Sequence, residues 1–132
     1  MTTSAINEIG LARELANSLV IPIFIVDPDG DLLFYNEPAE RLLGSRFEET
    51  GAMPANVWSR VFCPTDEQGK PLLPESLPLM IALSEKRPAH RGMWIRGSDN
   101  ALRHIEVTAF PLLGQLDRFL GAVAMFWETP VG

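Results

Sequence analysis

"VDPDGDLLFYNEPAERLLG", residues 26–44, packs a turn, an apolar run, an asparagine and a short helical segment ending in glycine into one stretch. Its Asp27–Pro28–Asp29–Gly30 core is a turn with a mechanism. Pro28 pre-sets φ, Asp27 and Asp29 can accept from the amides that follow them, and Gly30 tolerates positive φ. This predicts two strands, residues 23–26 and 31–35, joined as a hairpin. Asn36 then suits a helix N-cap, and Pro38 falls in the first turn, where a missing N–H costs nothing. Ala39, Leu42 and Leu43 make the apolar side of that helix, and Gly44 ends it in a left-handed cap.

The pattern extends in both directions. Residues 4–20 read as a flanking helix with Ser4 as N-cap, Glu8 at its positive end, and a stripe of Ile9, Ala12, Leu15, Ala16 and Leu19. "IPIFIV" switches to a β-rich run, with Pro22 at its start. Residues 45–72 read as irregular, "ETGAMPANVW" giving a helical turn or two. A helix is predicted from Ser76 to about Lys86, with Pro78 in its first turn and Pro88 ending it. "HRGMWIRG" and "ALRHIEVTAF" flank the turn "GSDN" as a second hairpin. Ile105, Val107 and Ala109 alternate with His104, Glu106 and Thr108. "FLGAVAMFWE" is apolar on both faces and reads as a central strand wanting cover on both. The fold class is therefore α+β: a five-stranded antiparallel sheet with helices on one face, plus the N-terminal helix.

At 132 residues the chain makes one domain, long enough to bury about two-thirds of the surface of its unfolded state. Hydrophobic residues are 46% and charged residues 21%, ordinary for a globular protein. The net charge of -6 and the lack of a basic cluster speak against nucleic acid or an anionic membrane as partner. The apolar runs are too short to span a bilayer, and "MTTSAINEIG" lacks signal-peptide character, so a cytoplasmic location is expected. Cys63 is the sole cysteine and only two histidines occur, which leaves no disulfide or zinc site. Asp27, Asp29 and Asp31 have the alternation of a calcium loop, but the position that needs a bidentate glutamate is Pro38.

The element order and the opening stretch together resemble the PAS domain family. Asp27, Gly30, Leu32 and Asn36 match its Asp–x–x–Gly signature, followed by "EPAERLLG". "GKPLLPESLPLMIAL" is similar to its proline-led helix, and "GSDNALRHIEVTAFPLL" with "FLGAVAMFWE" to its last three strands. The resemblance spans residues 10–129, with residues 1–20 as flanking helix, 21–129 as the domain and 130–132 as a tail. It implies a sensory or interaction module that binds a small molecule between sheet and helices, or nothing, and signals to a partner or output domain. The family often ends its last strand with Asp–apolar–Thr leading into a helix. Here Glu128 and Thr129 are adjacent and Pro130 discourages a helix, so the expectation is either a piece of a larger protein or a free-standing module acting by non-covalent contact, with an unknown signalling protein or output domain as partner.

The chemistry candidates are few. The light-sensing branch of the family sets its flavin-reactive cysteine in a context that "RVFCPTDE" does not match, so Cys63 reads as a small, partly buried hydrophobe. The haem-binding branch carries its ligand on the long helix, which has no histidine here; His90 is the nearest, and His104 lies on the polar face of its strand. Neither haem nor flavin is expected. No nucleophile elbow or phosphate loop occurs, and catalytic residues and metal ligands are expected to be absent. The rival reading is a small cavity enzyme with one buried carboxylate, for which Glu106 is a poor candidate. What remains is an apolar pocket lined by Phe24, Met80, Leu83, Trp94, Ile105, Val107 and Phe126; against it stands the simpler account that these residues are plain core, filled by their own side chains. A homodimer through Ile9, Ala12, Leu15, Ala16 and Leu19 and the outer sheet face completes the expectation.

Overall fold

The computed structural model describes residues 8, 10, 11, 15, 20–44, 46–54, 56–58, 63–96 and 100–129. Five strands form one sheet: β1 (Ile23–Val26), β2 (Leu32–Tyr35), β3 (Ala89–Arg96), β4 (Leu102–Leu113) and β5 (Phe119–Glu128). Their spatial order is β2-β1-β5-β4-β3 and every pairing is antiparallel. β5 is thus central, as its two apolar faces require. Helices α1 (Glu37–Leu43), α2 (Phe47–Thr50) and α3 (Pro78–Glu85) come from the long connection between β2 and β3. Residues 56–58 add a helical turn, and Pro74–Ser76 a 3-10 turn before α3.

The hairpin and capped helix form as the turn chemistry dictates. The Asp27 carboxylate accepts from the amides of Asp29 at 2.9 Å and Asp31 at 3.0 Å. Both bonds go to Asp27 Oδ1, as a turn requires, and no cluster of three potential metal ligands occurs among the described residues. Asn36 caps α1 through a 3.2 Å bond from the Ala39 amide, and Gly44 closes it at φ 78°. α3 starts two residues later than Ser76, because the Ser76 hydroxyl donates to Leu73 O and serves the 3-10 turn instead. Of the flanking helix expected over residues 4–20, Glu8, Gly10, Leu11 and Leu15 are helical, and Val20 is an exposed bend outside it; the rest, like residues 97–99 and 130–132, lies outside the described residues.

The main core lies between the inner sheet face and the helices. Phe24 and Val26 of β1, Ile105, Val107 and Ala109 of β4, and Ala122, Ala124 and Phe126 of β5 meet Ala39 and Leu43 of α1 and Leu79, Ala82 and Leu83 of α3. A smaller cluster on the other sheet face joins Ile23, Ile25, Phe34 and Val123. No helix among the described residues is long and apolar enough to cross a membrane.

Candidate functional site

A cavity of about 80 Å³ opens within the main core. The sheet supplies its floor: Phe24 from β1, Met93 and Ile95 from β3, Ile105 and Val107 from β4, Ala124 and Phe126 from β5. Leu43 closes one side from the end of α1, Leu77–Leu79 form the roof at the start of α3, and Trp58 and Pro64 come from the intervening loops. The space exists because the central strand presents a methyl, Ala124, opposite the wide residues of the roof. Trp58 is fixed over it by two contacts. Its indole N–H donates to Gly30 O at 2.8 Å, and its ring meets Phe24 edge-on at 5.2 Å. Every lining side chain is apolar, and the one polar atom among them, Trp58 Nε1, is already satisfied. Such a wall selects by shape and apolar contact alone.

Four of the seven residues expected to line a pocket do so: Phe24, Ile105, Val107 and Phe126. Trp94 is a correction. β3 pairs Met93 with Ile105, Trp94 with His104 and Ile95 with Arg103, so the period of two sends Met93 and Ile95 inward and Trp94 to the opposite face. Leu83 is buried in the core beyond the cavity, and Met80 packs half-buried against that core. Trp58 and Pro64 escaped the sequence reading because the segments that carry them have no periodicity; Leu43 was read as the apolar side of its helix but not as pocket lining. Of the expected dimer residues, Leu15 is 63% exposed, while Ile9, Ala12, Ala16 and Leu19 lie outside the described residues.

Cys63 is also corrected: it is exposed, at φ 47°, and does not line the cavity. A flavin-adduct site needs that thiol, and polar partners for the ring's heteroatoms, inside the chamber. The described lining residues supply neither, and the volume is far below the roughly 300 Å³ at which drug-sized pockets begin. The residues present do not fit flavin or haem.

Both histidines lie on the sheet face away from the cavity. His90 sits between Thr108 Oγ1 and Glu106 Oε1, each at 2.7 Å. His104 sits between Thr129 Oγ1 at 2.5 Å and Glu67 Oε1 at 3.0 Å. Hydrogen bonds from His104 and from the Trp94 indole hold the Glu67 carboxyl below the usual glutamate range. These hydroxyl–imidazole–carboxylate triplets have the order of a nucleophilic site, but they lie on the sheet face opposite the cavity. Glu106 accordingly belongs to the His90 triplet on the outer face.

A PAS domain profile matches residues 11–81, more than half of the chain. The fold is similar to the PAS domain of a protein from Colwellia psychrerythraea, with TM-score 0.64 and 15% identity over 92% of this chain and 96% of that one. It is also similar to the Rhodobacter sphaeroides LOV protein, with TM-score 0.73 and 14% identity over 94% of this chain and 68% of that one. For the PAS domain of nitrogen regulation protein NR(II) from Vibrio parahaemolyticus the values are 0.63 and 17%, over 90% and 98%. No curated relative matches the chain. The strand order, the Asn36-capped helix after the first hairpin and the profile over residues 11–81 converge on one assignment: this chain belongs to the PAS domain family.

Proposed function

We propose that this PAS domain is a non-catalytic sensory module that takes a small apolar molecule into its core cavity and reports to a signalling protein or output domain. The observation that carries this reading is the wall itself, a partly open core cavity lined by apolar side chains. An apolar cavity of roughly 150 Å³ is known to stay dry and take up benzene or xenon. At about 80 Å³, this one suits a molecule of only a few heavy atoms. Similar folds include a PAS domain from a two-component sensor histidine kinase, which supports a signalling partner. The rival, a cavity enzyme, needs an acid, a base or a nucleophile at the wall, and the described lining residues supply none.

The test begins with native mass spectrometry and an absorption spectrum of freshly purified protein. Xenon is then titrated while the ¹³C methyl signals of Ile105 and Val107 are followed. These methyls are expected to shift in the wild type. Ala124→Leu, which puts an isobutyl group into the chamber, should weaken xenon uptake about tenfold or more, a free-energy difference of about 1.4 kcal/mol. Ala124→Val is the milder filler should the larger one unfold the protein. A visible flavin or haem band, or methyls that ignore xenon, would overturn the reading.

The module is further proposed to act as a homodimer through its N-terminal helix and outer sheet face. Leu11 and Leu15, one helical turn apart, are 64% and 63% exposed, and Trp127 on the outer face is 41% exposed. Deleting residues 1–18 should leave a folded monomer in sedimentation; a dimer that survives the deletion would refute this interface.

A further inference from the structure

We propose that cavity occupancy is carried to the C-terminal end of β5 around the edge of the sheet, through the 64–72 hairpin, Glu67 and His104, to Thr129. This inference rests on the small-ligand reading above and adds the route by which it would be read out.

The hairpin has one foot in the cavity wall. Pro64 lines the chamber, and the next residue, Thr65, is bonded to Trp94 of β3 in both directions, at 2.8 and 3.0 Å. Beyond it the loop is tied to itself. Leu72 N donates to Pro64 O and Asp66 N to Lys70 O, each at 2.9 Å. The Asp66 carboxylate accepts from the Lys70 and Gln68 amides, both at 2.9 Å. Those amides, Lys70 first, hold its carboxyl below the ordinary range. A segment braced this way moves as a unit, so a displacement of Pro64 is delivered at Glu67.

Glu67 grips two rings with its two oxygens: His104 Nε2 at 3.0 Å and the Trp94 indole N–H at 3.2 Å. The rings meet edge-on at 5.0 Å, which limits how either can turn alone. On its other side His104 holds Thr129, the residue that follows β5. Its Nδ1 lies 2.5 Å from Thr129 Oγ1, and its carbonyl accepts from Thr129 N at 2.9 Å. The two ring nitrogens of His104 thus bridge the Glu67 carboxylate and the Thr129 hydroxyl. Moving Glu67 therefore turns a ring whose far nitrogen sets the position of Thr129. The competing route is direct, through β5 itself, since Val107 pairs with Phe126 beneath the cavity.

Glu67→Ala separates the two routes, because the Glu67 side chain is 62% exposed and its removal leaves the core intact. Under xenon the wild type should shift both the Ile105 and Val107 methyls and the Thr129 amide. In Glu67→Ala the methyl shifts should persist while the Thr129 response falls to that of amides on β2; His104→Gln should behave likewise. A Thr129 amide that ignores xenon in the wild type while the methyls respond, or that responds undiminished in both variants, overturns the edge route. Methyls that ignore xenon instead sink the small-ligand reading alone. The route is then read with Leu79→Phe, which fills the chamber from α3. The Thr129 shift it causes must vanish in combination with Glu67→Ala, and its survival overturns the proposal.

Discussion

Gly121→Ala is expected to cost about 3–5 kcal/mol of folding stability and to lower the urea midpoint markedly. Gly121 lies in β5 at φ 135°, a backbone state that side-chain-bearing residues rarely adopt. A Cβ built there would stand 2.0 Å from Val26 O and 3.0 Å from Val26 C, both backbone atoms of the neighbouring strand. A flexible side chain could swing away; a paired backbone cannot. β5 is clamped by β1 on one side and β4 on the other, and the β4 register already shifts between Leu112 and Leu113, opposite this point. Relief would require breaking the β1–β5 pairing that positions Phe24 over the cavity. Since domains of this kind have only about 5–15 kcal/mol of net stability, the loss is a large fraction of the total. Urea unfolding measures it, with Gly10→Ala as the control. Nothing lies within 4 Å of a Cβ at Gly10, so that change should stay within about 1 kcal/mol of the wild type. If Gly121→Ala unfolds at the wild-type midpoint, the close approach of β5 to β1 is not what the chain maintains.

How far the sequence reveals such features depends on how local their causes are. The hairpin and α1 were legible because each residue there answers a need of its own backbone: Asp27 caps a turn, Gly30 takes φ 89°, Asn36 caps a helix, Gly44 ends it. β4 was legible because its alternation is clean. β3 was not. Met93 and Trp94 are adjacent and both apolar, so only the pairing with β4 decides which one faces inward. The start of α3 was blurred because Ser76 is a good cap by type, yet its hydroxyl is used within the preceding turn. Trp58, Pro64 and Glu67 sit in segments without periodicity. Their roles come from partners 28 residues away at Gly30, or 37 away at His104, and no window of sequence contains both ends. Four of the seven floor residues could thus be read from strand patterns, whereas the loop-borne wall and the Glu67–His104–Thr129 link could not.

The second large effect is expected at Asn36, where signature residue and cavity wall meet. Asn36 is 1% exposed, and its side chain serves three backbone groups. Its Oδ1 accepts from Ile23 N at 2.9 Å and from Ala39 N at 3.2 Å, while its amide donates to Ile21 O at 3.0 Å. Asn36→Ala removes the helix cap, worth about 1 kcal/mol, and leaves a buried Ile23 N–H without that acceptor, for about 1–3 kcal/mol more. The expected total of about 3 kcal/mol corresponds to a melting point roughly 10 °C lower in a domain of this size. Asn36→Asp keeps both acceptor bonds near the positive end of α1 but loses the donor to Ile21 O, so it should fall between the wild type and Asn36→Ala. Equal melting points for the two variants would mean that the donor bond to Ile21 dominates. The same bonds tie Ile23, at the head of β1, to α1, and those elements carry Phe24 and Leu43 to opposite sides of the cavity. Asn36→Ala should therefore loosen the chamber as well as the fold, broadening the Ile105 and Val107 methyl signals below the melting transition. A variant that melts early while those methyls stay sharp would show that α1 is held against the sheet by apolar contact alone.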